Sequence, residues 1–441
     1  MSPAQEALLE FLGLEDINGL FADIPNEVRV DGLDLPSGLT EAETVRKVYR
    51  ILERNRSVGE VTSYLGSGYY DTYVPALVDA LLGRSEFYTT YTPYQAELSQ
   101  GLLQVLFEFQ SLVCELTGMD AANSSMYDAS TALGEAALMA RRITGRREIV
   151  VPALVQGDKK AVLRNYARGP GLRIREAGHD ENDGSLDLDH LAELVGDETA
   201  AVYVEVPNYL GQMDPKVAEV QATLSGPLLI AGVHPLAQAV LRPPGDYGAD
   251  IVIGEGQTLG GWMNFGGPSL GLFACRQEHI RKMPGRVIGL TKDRRGDRAF
   301  TMTLQTREQH IRKGKAMSNI CTNESLMAVG AAIFLAFHGA NGLRTLAAGL
   351  MDRAKGLMGH LNGIAGFRAP LFPGSYFNEF PVGHRLPAAD LQERLAAHGM
   401  IGGTDLSTDL PQAAPASLFA VTDRHTPDDF RELARALEGG K

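Results

Sequence analysis

The stretch TLQTREQHIRKGKAMSNICTNESL concentrates groups that can hold an anion, with Arg307, His310, Arg312, Lys313 and Lys315 ahead of Ser318, Asn319, Thr322 and Asn323. Guanidinium and ammonium groups receive carboxylates and phosphates through charge-assisted hydrogen bonds. The same residues also suit the solvated face of a charged helix. Upstream, SEFYTTYTPYQAELSQG gathers Tyr88, Tyr91 and Tyr94 beside Thr92, Pro93 and Gln95. Aromatic bodies with polar ends line pockets and interfaces, and they also make packing turns. Ser124 to Ala136, SSMYDASTALGEA, sets hydroxyls and Asp128 at a helix entrance, where unpaired N–H groups bind anions and where the same residue types serve as ordinary caps. Tyr64 to Tyr70, YLGSGYY, has two glycines but lacks the third of a dinucleotide loop. A nucleophile elbow, a zincin helix and a P-loop are all read as absent.

These residues need elements to position them. Apolar residues recur at Leu98, Leu102, Leu106, Phe109, Val113 and Leu116, one face of a helix that Gly118 is placed to end. A second helix is expected near Thr131 to Thr144. Beyond it, short β-branched runs (EIVVPAL, LRIREA, AAVYVEV, PLLIAGV, DIVIG, LGLFAC) alternate with helical segments around Lys159, Leu188, Val217 and Leu236. That alternation implies parallel strands with right-handed crossovers, a doubly wound α/β domain whose ligands sit at the carboxyl ends of the strands. Residues 1–70, with the extended VRVDGLDLPSGL, read as a leading segment, 71–323 as the large domain and 324–441 as a small C-terminal α/β domain.

Composition bounds the partners. The chain has 54 acidic and 41 basic residues, a net charge of −13, which repels polyphosphate and anionic lipid. Nucleic acid and membrane are therefore not expected as partners, and no stretch is read as approaching the ~18 apolar residues of a membrane span. Cys114, Cys275 and Cys321 are odd in number, far apart and without a metal-ligand spacing, so reduced thiols, no metal and a cytoplasmic location are expected.

YLGSGYYDTYVPALVDALLGRSEFYTTYTPYQAELSQGLLQVLFEFQSLVCELTGMDAANSSMYDAST, GEGQTLGGWMNFGGPSLGLFACRQEHIRKMPGRVIGLTKD and LQTREQHIRKGKAMSNICTNESLMA resemble the glycine decarboxylase P-protein family, and the length resembles the separate alpha subunit of its two-gene form. The resemblance implies the fold-type I architecture of pyridoxal-phosphate (PLP) enzymes. It also implies a PLP-bearing beta partner in an α2β2 assembly, decarboxylation of glycine, and transfer of the aminomethyl group to the lipoyl arm of H-protein. A PLP enzyme needs a lysine amine for its Schiff base. In DIVIGEGQTLGG, Gln257 stands at the position the resemblance assigns to that lysine, and the preceding strand ends in Ala231-Gly232-Val233-His234-Pro235 without the aspartate of the ring nitrogen. No catalytic residue is therefore expected in this chain, which would be inactive alone with the PLP held by its partner. The resemblance implies Tyr91, Thr92, Tyr94 and Gln95 as a channel wall, with Arg307, His310, Arg312, Lys315, Ser318, Asn319 and Asn323 around anionic groups. A self-sufficient PLP decarboxylase and a non-catalytic scaffold are the alternatives. Gly314 between Lys313 and Lys315 costs a helix ~1 kcal/mol, which puts helical structure there in question.

Overall fold

The computed structural model describes residues 2–30 and 32–438, so Asp31 of the expected extended stretch lies outside the described residues. The chain forms two compact units, residues 1–57 and 58–441. The first carries helices Pro3–Leu12 and Glu41–Leu52, each opened by a capping box, Ser2 with Gln5 and Thr40 with Glu43. These two caps satisfy helix-end N–H groups that no earlier turn can reach. Among its described residues only Leu9 is buried, while Leu8, Phe11, Ile17, Val28, Leu33, Val45 and Tyr49 are exposed.

The second unit is built on a seven-stranded sheet. Its spatial order is Ala121–Ala122, Gly271–Cys275, Ile251–Glu255, Leu228–Val233, Thr199–Val206, Glu148–Pro152 and Arg173–Ala177. The last five strands in that order pair in parallel, and Gly271–Cys275 runs antiparallel to both of its neighbours. Apolar runs form these strands because both faces are covered. Val150, Val202, Val204, Leu229, Ala231 and Val252 point into one core cluster, and Ile149, Val151, Ala201, Tyr203, Ile230 and Ile253 into another, the alternation that a pleated strand imposes. All six apolar runs named from the sequence are strands here. The strand order reverses between Glu148–Pro152 and Thr199–Val206, so a crevice opens at their carboxyl ends.

Helix Gln100–Thr117 buries Leu102, Leu103, Leu106, Phe109 and Val113, and Gly118 ends it at φ 67°. On it lies an antiparallel hairpin, Val287–Lys292 with Arg298–Thr303, that the alternation of helix and strand does not announce. Two side-chain amides dock it: Gln110 bonds both N–H and C=O of Ile288, and Gln100 both of Phe300. Each glutamine thus stands in for a strand partner.

Helix Ser325–Asn362 is interrupted at Gly339, whose φ of 57° and ψ of −179° leave helical geometry. It corrects the expectation of no span-length apolar stretch, since it is long and apolar enough to cross a membrane. Its residues Ala328, Val329, Ala332, Phe334, Leu335, Leu343 and Leu350 are packed in the protein's own core. The C-terminal sheet pairs Ala416–Ala420 with Glu379–Gly383 and Thr404–Asp405, backed by Pro427–Glu438, which buries Phe430, Leu433, Ala436 and Leu437. Thr62–Ser63 joins this region by parallel pairing with Met400–Ile401.

Candidate functional site

The crevice at the strand ends closes into a cavity of about 60 Å³. Glu205 ends one strand, Val233 and His234 another, and Glu255 a third. Lys159 comes from helix Gly157–Arg168, Tyr70 from the loop before the first long helix, and Glu379 from the C-terminal sheet. Lys159 makes an ion pair with Glu205, which also accepts a hydrogen bond from Tyr203 at 2.5 Å. Gly232 lets the Tyr203 hydroxyl in, since a Cβ there would lie 2.4 Å from it.

Glu255 occupies the entrance of helix Ala129–Thr144. Its carboxylate accepts from the backbone N–H of Ala129 at 3.1 Å and of Gln257 at 3.0 Å, and from the Ser269 hydroxyl. Asp128 and Thr131 cap the same helix reciprocally, so both readings of this entrance hold at once, with the anion supplied from within the chain. The YLGSGYY loop likewise wraps a carboxylate. Ser67 N–H donates to Glu379 at 2.9 Å and the Tyr70 hydroxyl at 2.8 Å. Burial pushes Glu255 and Glu379 each up to about 7. His234 lies between Tyr70 and Phe377, and burial lowers it to about 3, so it is neutral.

Gln257 lies in the turn after Ile251–Glu255. Its carbonyl oxygen accepts from Tyr70 N–H at 3.1 Å, and its amide nitrogen donates to Tyr70 O at 3.0 Å and to Gly261 O at 2.8 Å. All of this amide's strong partners are backbone. Ser269 corrects one expectation, because Gly267-Pro268-Ser269-Leu270-Gly271 does have the spacing of a nucleophile elbow. It precedes the antiparallel strand Gly271–Cys275 rather than joining a strand to a helix, and its hydroxyl is spent on Glu255.

The remaining sequence-selected residues gather elsewhere, around Arg286. This buried guanidinium donates to Asn323 Oδ1 at 3.0 Å, to Cys321 O at 2.6 Å and to the Tyr94 hydroxyl at 3.3 Å, and lies over the Tyr94 ring. Asn323 also donates to Ser124 at 2.9 Å. Tyr91, 76% exposed, bonds Thr322 at 2.6 Å, and His310 meets the ring of Tyr94, 50% exposed, edge-on. Thr92 is half-buried, whereas Gln95, Arg312, Lys315 and Asn319 are exposed.

Arg307 turns inward. It donates to the carbonyls of Met283, Gly285 and Leu304, and burial depresses its basicity. Ser318 donates to buried Glu135 at 2.8 Å. The helix here runs only from Gln309 to Arg312, and the backbone leaves it at Lys313, φ 50°. Sequence reasoning missed Arg286 and the cavity carboxylates Glu205 and Glu379, whereas the strand-end segment Gly254-Glu255-Gly256-Gln257, to which the doubly wound topology directs attention, does contribute Glu255 to the cavity. Arg286 lay within a quoted motif, but nothing local marked it as the hub.

Comparison with known proteins supplies the context. The model of the glycine cleavage system P-protein family matches residues 2–437. A probable glycine dehydrogenase (decarboxylating) subunit 1 of Carboxydothermus hydrogenoformans is 44% identical over 98% of this chain and 97% of its own length. The protein of the same description from Thermococcus kodakarensis is 44% identical over 99% and 96%. A crystal structure of glycine decarboxylase (P-protein) of the glycine cleavage system, in inhibitor-bound form, superposes with a TM-score of 0.92 at 37% identity, covering 100% of this chain and 98% of that one. A sphingosine-1-phosphate lyase of Burkholderia pseudomallei, with a TM-score of 0.66 at 15% identity over 93% of each chain, shares the fold alone. The architecture is that of fold-type I PLP-dependent enzymes. With the family model matching residues 2–437 and a relative 44% identical over 98% of the chain, the chain belongs to the glycine cleavage system P-protein family.

Proposed function

We propose that this chain is the alpha subunit of a two-gene glycine decarboxylase, working with a PLP-bearing beta subunit in an α2β2 assembly. Together they release CO2 from glycine and pass the aminomethyl group to the lipoyl arm of H-protein. The observation that carries this reading is Gln257. An amide cannot form a Schiff base, and here it is engaged with the backbone of Tyr70 and Gly261. The cavity does not fit a PLP of this chain's own. A phosphate's natural seat at the entrance of helix Ala129–Thr144 is filled by Glu255, and the lysine lining the cavity, Lys159, is paired with Glu205.

This chain's contribution is then made at its surface. Tyr91, Thr92, Tyr94 and Gln95 with His310, Arg312, Lys315 and Asn319 form a rim toward the partner's substrate channel, and Arg307, Ser318 and Asn323 hold that rim from inside. The three cysteines are free thiols, which suits a reducing, cytoplasmic setting. Chain purified alone and incubated with PLP is expected to give no aldimine absorption band that borohydride makes permanent. Glycine-dependent CO2 exchange with H-protein is expected only after the beta subunit is added. A borohydride-fixed adduct on a lysine of this chain, or exchange without the partner, overturns the reading. If Tyr94→Phe leaves turnover of the assembled complex unchanged, the subunit is a scaffold instead.

A further inference from the structure

Two carboxylates in the cavity lack a cation. Lys159 is taken by Glu205, and neither Glu255 nor Glu379 forms an ion pair among the described residues. Both rest on neutral donors, namely backbone N–H groups and the hydroxyls of Ser269 and Tyr70. Beside them are polar atoms with no partner among the described residues. One is the hydroxyl of Thr258, a cavity-lining residue only 3% exposed. The others are both ring nitrogens of His234, which also lines the cavity. Burial keeps that imidazole neutral, so it is not the missing cation.

Size and charge narrow what could sit here. About 60 Å³ holds a few waters or one small polar molecule. Three carboxylates against one ammonium repel an anion, and a buried carboxylate without a counter-charge favours any cation that can reach it. We infer that this cavity binds a small primary ammonium group, with Glu255 and Glu379 as its counter-charges and Thr258 and His234 as neutral acceptors. A primary ammonium carries three N–H donors and no acceptor, so two carboxylates, a hydroxyl oxygen and an imidazole nitrogen offer it more acceptors than it needs. The same chemistry is offered by free ammonium, by methylammonium and by the amino end of glycine.

Binding is coupled to protons. The other ionisable groups acting on Glu255 are Asp128 and Tyr69, and those acting on Glu379 are Lys159, Glu205, Tyr70 and Tyr209. Both carboxylates are held up to about 7 chiefly by burial. A bound cation favours their ionised form, so affinity rises from pH 6 to pH 8. The inference does not depend on the subunit role proposed above.

Calorimetric titration of the full-length chain with ammonium chloride, methylammonium chloride and glycine tests it, with sodium chloride and tetramethylammonium chloride at matched ionic strength as controls. Saturable one-site binding of at least one primary ammonium is expected, stronger at pH 8. Losing one hydrogen bond to the charged ligand in Thr258→Val, or one counter-charge in Glu379→Gln, is expected to weaken it about tenfold. Thr258→Val carries the test if Glu379→Gln fails to fold. No saturable heat with any of the three, equal heat with sodium or tetramethylammonium, or unchanged affinity in the folded variants overturns the inference. Saturation by glycine alone would name the amino acid as the source, and saturation by all three the bare ammonium group.

Discussion

Glu255 and Glu379 lie inside the protein, their charge spread over backbone N–H and hydroxyl donors of the same chain, whereas Tyr91, Tyr94 and His310 stand out in solvent above a buried arginine. In the interior, the strand-end cavity is lined by the chain's own carboxylates, and the Gln257 amide is engaged with backbone groups of Tyr70 and Gly261. At the surface, Tyr94 is tied to Arg286, which also holds Asn323, while Tyr91 bonds Thr322 and His310 pairs with Glu308. The contrast separates polar groups satisfied within the fold from side chains that stand largely in solvent.

The sharpest way to break this contrast is Lys159→Met. It leaves Glu205 buried without its cation, and removing one partner of a buried pair costs about 3–5 kcal/mol. A large drop in the denaturant midpoint is expected, with much of it recovered when Glu205→Gln is added. A drop no larger than that of a surface variant would show that the interior does not depend on this pairing.

Next in size is a pH effect. Glu255 and Glu379 rise from 4.5 to about 7 on folding, so the folded state binds more protons than the unfolded state between those values. The contribution is fully present below about pH 4.5 and is lost as pH rises through about 7, roughly 3 kcal/mol per group at most. Thermal melts at pH 5 and pH 8 are expected to differ less in Glu255→Gln and Glu379→Gln than in the parent chain. An unchanged pH difference in both variants would mean that these carboxylates are not proton-linked to folding.

At the rim, Tyr94→Phe removes one acceptor from Arg286 on a half-exposed residue, about 0.5–1 kcal/mol of stability. Turnover of the assembled complex is expected to fall several-fold while its assembly, followed by gel filtration, is retained. Smallest of all is Lys315→Ala, an exposed change within about 0.5 kcal/mol in stability. Its effect is expected in the salt dependence of the complex's activity, and a clear loss of stability would place Lys315 with the interior instead.

Legibility followed the same division. The helix Gln100–Thr117 and the six apolar runs were readable because burial repeats with the period of the element that carries it. Arg307 was picked out as a guanidinium that could hold an anionic group, yet in the fold it closes on three carbonyls. Gln110 gave no local sign that it would bond both backbone groups of Ile288. The long apolar helix was legible in the run SLMAVGAAIFLAFHGANGLRTLAAGLM, which lies within Ser325–Asn362.

By itself, the amino-acid sequence determined the doubly wound core, the family motifs and the amide at position 257, since each is written in neighbouring residues or in one residue's chemistry. Only the tertiary structure decided that Glu205, Glu255 and Glu379 share one cavity with Lys159, and that Arg286 joins Tyr94 to Asn323. Burial follows local periodicity, but the pairing of polar groups depends on which distant segments the packed core brings within ~3 Å of one another.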